Sequence, residues 1–313
     1  MQLTTNAAEK TLLNKPPTQS LWRGRRFRKQ VFPWLFIAPI TLLHLLVVVG
    51  PSLSGVYYAL TDWSGYGAAE FIGLQNFRDL LNDRNFRLAF QHNLWWLLFF
   101  VTVPFILALL VATLLSQVRR GAMVMRTAFF VPYILPSVVA AFIWRMLYNP
   151  DLGVGAQLAK IGIPGLDHAY LGNKNLALAA IMFADNWHWW GFLMILFLTA
   201  MQNIPTDLYN AAQIDGANRW QEFRHVTLPG IRPTLLFMLM MTAIWSFLGF
   251  DYVWILTEGG PAGSSELVAT FLYKQAFQRF EAGYAAAIGI TISAIAGLIA
   301  TTFALLRRRG WEM

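Results

Sequence analysis

A chain of 313 residues that is 57% hydrophobic and only 13% charged carries more apolar side chain than one soluble core of that size can bury. Cysteine is absent, which excludes disulfides, thiolate metal sites and cysteine nucleophiles. The formal charge of +8 makes no nucleic-acid surface, because the basic residues fall at the ends of apolar runs and form no patch with interleaved aromatics.

Residues 1–30 read as a polar tail ending in Arg23, Arg25, Arg26, Arg28 and Lys29, a cluster suited to an anionic cytoplasmic leaflet. The apolar run behind it is too long for a signal peptide and lacks a small-residue cleavage site. Residues 31–313 read as an all-α polytopic membrane domain with six transmembrane helices. They are expected near 32–60, 88–115, 125–147, 176–202, 233–256 and 284–306. Each is long enough for a hydrocarbon core of ~30 Å. Pro104 in the second, and Pro132 with Pro136 in the third, predict kinks whose freed carbonyls must be satisfied by neighbours.

The connections differ in character. The first outer loop contains FIGLQNFRDLL, residues 71–81, which predicts a short interfacial helix. The second, 148–175, is rich in Gly and Asp. The third holds LTEGGPAGSSE, a turn cluster centred on Gly259, Gly260 and Pro261. LVATFLYKQAFQRF follows it and predicts an amphipathic helix lying along the outer surface. No repeat of solenoid type is visible.

Orientation follows from Lys and Arg. With the N-terminus inside, 16 of the 24 positive residues are cytoplasmic, including Arg119, Arg120, Arg126, Arg219, Arg224, Arg232 and Arg307 to Arg309. Both termini are therefore expected in the cytoplasm, together with the polar interval 204–233. That interval is not written as a flexible linker. Pro205, Thr206 and Asp207 start a helix, and Leu208, Ala211 and Ala212 give it an apolar edge. Asp215-Gly216 is a turn signal. A second helical phrase carries Trp220, Phe223 and Val226 on one side, and Pro229 is expected to close it. Helices this short need a surface to lie against. An ordinary helix-turn-helix connector is the plainer alternative.

Enzyme chemistry has little to stand on. None of the six lysines follows a glycine, so no phosphate-binding loop of the Gly-Lys-Ser/Thr kind exists. There is no H-E-x-x-H, no cluster with metal-ligand spacing and no G-x-S-x-G elbow. The polar residues inside the spans are more informative. Asp185, Trp189 and Phe192 share one face of the fourth span, and Thr242, Trp245, Ser246 and Gly249 share one face of the fifth. Polar groups beside aromatic rings suit a sugar, whose hydroxyls need hydrogen bonds and whose CH faces stack on rings. The same residues would also serve plain helix packing. His44 and His188 read as packing or interfacial residues, and Asp251 as a capped or partly solvated carboxylate. An aromatic belt would account for Trp187, Trp189 and Trp190. An ion-coupled carrier, with Asp185, His188 and Asp251 as a relay, is one competing transport reading, and a permease for a non-carbohydrate solute is the other.

Ala211-Ala212, Asp215-Gly216-Ala217, Phe223 and Leu228-Pro229 resemble the "EAA" loop of membrane permeases of binding-protein-dependent ABC importers. FDYVWILTEGGP, residues 250–261, with the six-span layout, is similar to the carbohydrate branch, the maltose and glycerol-3-phosphate type. The resemblance covers roughly residues 30–310. It implies a type I (MetI-like) permease fold in the bacterial cytoplasmic membrane, surrounded by lipid. It further implies that residues near 206–226 dock on a cytoplasmic ATPase subunit present in two copies. A second homologous permease would complete the path, and an extracytoplasmic solute-binding protein would deliver a carbohydrate-type substrate. This chain would bind no cofactor, ATP and Mg belonging to the ATPase. The family's glutamate before the two alanines is Asn210 here, which offers an amide where a carboxylate could pair with an arginine.

Overall fold

The computed structural model describes residues 33–118, 120–163, 165 and 168–308. The tail 1–30, Arg119 and Arg309, invoked above for orientation, lie outside them. The chain divides into two compact units, one ending at Gly55 and the other beginning at Val56.

The described residues are helical, with one isolated antiparallel bridge between Thr61 and Phe71. Helix α1 (Pro33–Tyr58) contains a π-turn at Leu45–Val49 just before Pro51. Proline lacks an N–H and its ring collides with the carbonyl four residues back. The chain widens instead, and the Gly50 N–H bonds to Leu45 O.

The second unit is built around α3 (Arg84–Ser116) and α7 (Ala177–Gln202). Asp83 caps α3, accepting from the N–H groups of Asn85 and Phe86 at 2.7 and 3.4 Å. Phe105, Ala108 and Ala112 of α3 share one buried cluster with Leu193, Met194 and Phe197 of α7. Small residues let the two backbones come close. The loop 71–81 yields α2 (Gln75–Asn82), whose Asn76 donates to Ala59 O and Thr61 O.

Four expected elements take a different form. The third span is two helices, α4 (Ala122–Ile134) and α5 (Ser137–Leu147), bent by 96°. Leu135 precedes Pro136 and is extended, as proline demands of its predecessor. The fifth span also breaks. Its helix α10 (Arg232–Ser246) gives way past Gly249 to α11 (Asp251–Thr257), and ahead of it the chain turns by 68° from α9 (Arg219–Gly230) into α10. Pro229 does not close its helix. A second π-turn, Phe223–Thr227, precedes it and bonds the Leu228 N–H to Phe223 O, so α9 runs on to Gly230. Lastly α12 (Val268–Phe277) does not merely lie along a surface. It buries Val268, Thr270, Phe271 and Gln275, and Val268 and Phe271 join Ile288 and Ile292 of α13 (Ala282–Arg308) in one cluster.

By length and composition, three helices of the described residues can cross a bilayer as single rods: α1, α3 and α13. Each bent pair, α4–α5 and α9–α10, adds one more. Helix α7 has 26 residues but carries Asp185, Asn186 and His188 in its middle, and it occupies the interior. Among the described residues the remaining helices are α6 (Val154–Lys160), in the Gly- and Asp-rich loop, and α8 (Thr206–Ile214).

Candidate functional site

The breaks in the third and fifth spans leave space against α7. Two adjoining cavities of 220 Å³ each share Trp96, Asp185 and Gly249. Six of the seven span residues singled out by helical spacing line one of them: Asp185, Trp189, Thr242, Trp245, Ser246 and Gly249. Phe192 does not. Its ring stacks on Tyr133 at 4.4 Å, against α4. Trp189 meets Trp245 edge-on at 5.0 Å, so it faces the interior. Trp187 packs on Trp144, and Trp190 on Phe129.

The other cavity adds Ser137, His188, Asp251 and Tyr252. Each is placed by a helix end. Ser137 opens α5 straight after the Pro136 break and donates from Oγ to the Asp251 carboxylate in the first turn of α11. His188 Nε2 donates to Leu135 O at 3.0 Å, the carbonyl released by the same break. The expectation that a neighbour would satisfy it holds. Asp185, His188 and Asp251 thus line one space, as the ion-relay alternative requires. Among the described residues no group of three His, Cys, Asp or Glu is arranged to hold a metal.

Several buried polar atoms at this chamber have no hydrogen-bond partner among the described residues: Thr242 Oγ1, Trp189 Nε1 and Tyr252 OH. Thr242 is 2% exposed and Tyr252 5%. Buried polar groups are nearly always paired, so three orphans on residues that line these two cavities stand out.

Next to the chamber residue Ser246 stands Asn93, which spacing did not single out. Its Nδ2 donates to Ser246 O at 2.8 Å, and its Oδ1 accepts from the Val268 N–H at 2.7 Å. It ties α3 to the end of α10 and the start of α12. The turn cluster lies beside it. Gly259 has φ +80°, and a Cβ there would sit 2.6 Å from the Glu266 carboxylate, so only glycine fits. Gly260 accepts from Ser265 Oγ at 2.6 Å and joins Pro261 through a cis peptide. Glu266 pairs with Lys274, whose Nζ also donates to Glu258 O at 2.7 Å.

The interval 204–233 is the second feature. Helix α8 buries none of its residues. Asn210 and Ala211 are exposed, and Ala212 and Ala217 half-buried. Ile214 is 86% exposed and Trp220 65%, an apolar surface left largely open among the described residues. Asp215-Gly216 forms the expected turn, Gly216 at φ +79° with Ala217 N–H bonded to Ala212 O at 2.9 Å. Asn218 and Gln221 then cap α9 reciprocally. Phe223 stacks on Trp220, and with Asn210 it lines a 660 Å³ cavity whose buried acid is Glu222.

A helical membrane chain with a polar chamber among its helices and an exposed helix pair between two spans has the parts of a transport permease. The chain belongs to the family described as binding-protein-dependent transport system inner membrane component, whose model matches residues 104–309. It is a membrane-spanning permease subunit of such a transporter, which sets the lone ion-coupled carrier aside. It is 34% identical over 269 residues to the probable ABC transporter permease protein YurN of Bacillus subtilis, covering 85% of this chain and 92% of that one. The probable starch degradation products transport system permease protein AmyD of Thermoanaerobacterium thermosulfurigenes is 31% identical over 93% of this chain and 99% of its own. A solved bacterial ABC transporter that imports the acidic polysaccharide alginate has the same fold, with a TM-score of 0.81 at 23% identity. The match covers 93% of this chain and 99% of that one.

Proposed function

We propose that this chain is one half of a two-permease pathway carrying a sugar or sugar-like solute into the cell. The observation that carries the reading is the convergence on one chamber of aromatic rings, carboxyls and unpaired donors from α3, α7, α10 and α11. Rings stack on the CH faces of a sugar, and carboxyls and hydroxyls bond its hydroxyl groups. The naming of AmyD for starch degradation products supports the same cargo class. A second, homologous permease faces this one, and a solute-binding protein outside the inner membrane supplies the sugar. Both termini and the 204–233 interval lie in the cytoplasm.

Two copies of a separate ATPase bind ATP and Mg, and one of them receives α8 and α9. Asn210, Ala211, Ala212, Asp215, Gly216, Ala217 and Phe223 form or shape that docking surface, and Gly259, Gly260 and Pro261 fix the outer turn. ATP favours the closed ATPase pair, and the docked helices carry that preference into a rigid-body rocking of the two permeases. The chain has no cysteine, so Ala212→Cys or Ala217→Cys gives a single attachment point for a cross-linker. In vesicles that transport, the expected adduct contains a nucleotide-hydrolysing subunit. Consistent absence of that adduct overturns the docking assignment.

A further inference from the structure

Resting on the chamber being the solute path, we infer that the path selects uncharged saccharides and rejects anionic ones such as uronates and sugar phosphates. Among the described residues no lysine or arginine lines either cavity, whereas Asp185 and Asp251 both do. A carboxylate or phosphate entering this space would lose its hydration and meet no cation, which is the costliest way to bury an anion. It would also approach two acids.

An uncharged sugar meets the opposite situation. Its hydroxyls can donate to Asp185 and Asp251, which line the space. Trp96 and Trp245 present ring surface to the same space. The two carboxyls that an anion would approach are therefore also the groups that engage hydroxyls.

The test uses the complete transporter purified in lipid nanodiscs. Equilibrium binding is measured for a panel of neutral di- and trisaccharides and for the same backbones oxidised to uronates. The best neutral member is expected to bind at least ~10-fold more tightly than any uronate. The isosteric double change Asp185→Asn with Asp251→Asn should narrow that ratio by ~10-fold or more. Uronates binding as well as neutral sugars, or a ratio the double variant leaves unchanged, would overturn the inference. Gly249→Leu, which fills the space beside Trp96, separates this from a failure of the path itself. Sugar uptake that persists with the chamber filled removes the path reading. Uptake that is lost while uronates still bind freely removes only the charge selectivity.

Discussion

Gly216→Val is the most direct probe of the helix pair. Gly216 sits at φ +79° and no atom lies within 4 Å of a side-chain carbon built there. The substitution therefore meets no clash, and its whole cost is conformational. An ordinary residue pays ~1–2 kcal/mol in this region, and a β-branched one is a genuine outlier there. Relief would come from rotating the turn out of the left-handed region, which sacrifices the Ala217-to-Ala212 bond and re-aims α9 relative to α8. Asparagine tolerates positive φ, so activity should fall in the order Gly216→Asn, Gly216→Ala, Gly216→Val, with ~10-fold loss at alanine for ~1.4 kcal/mol of strain. The assay is sugar-stimulated ATP hydrolysis and uptake by the reconstituted assembly, normalised to the permease in the membrane. Full stimulation in the valine variant would refute the reasoning. So would equal losses for asparagine and valine, because then side-chain bulk and not backbone geometry would be at fault.

Other outcomes follow from the packing. Asn93→Ala removes the acceptor of the Val268 N–H and the donor to Ser246 O in a side chain 1% exposed. Leaving them bare should cost ~2–4 kcal/mol, seen as a lower unfolding temperature in detergent. Gly191→Ala would place a Cβ 1.9 Å from the Phe129 carbonyl oxygen, which is backbone and cannot step aside. Helix α4 must move off α7, at ~3 kcal/mol or more by the same measurement. Lys274→Met strands the Glu266 carboxylate within the turn, and ~3 kcal/mol should be lost, whereas Lys274→Met combined with Glu266→Gln recovers most of it.

Much of this molecule was legible in its sequence because two local rules are strong in a membrane chain. Apolar length located the helices, and i, i+4, i+7 spacing picked out the face of α7 that carries Asp185 and Trp189. The Asp215-Gly216 turn was readable because positive φ and glycine go together. What stayed hidden depends on partners distant in sequence. Asn93 looks like any polar residue near a span end until Ser246 and Val268 meet it. The 96° bend at Pro136 could be read as a kink but not measured, since its angle is set by what receives Leu135 O. Phe192 went astray for a related reason. Helical spacing put it on the chamber face, but its ring stacks on Tyr133 of α4, a partner distant in sequence. Ser137 carried a usable signal, a small polar residue directly after a mid-span proline, where a helix must restart.

One contact at the foot of the helix pair governs how it can work. A Cβ at Gly230 would lie 2.5 Å from Ile204 Cδ1, so where the chain leaves α7 and where it returns to α10 are pressed together. Ile231, next along, is fully buried. The excursion between them is a handle with a closed neck. Force applied at its tip by the proposed ATPase docking would therefore reach the foot of α7 and the foot of α10 together.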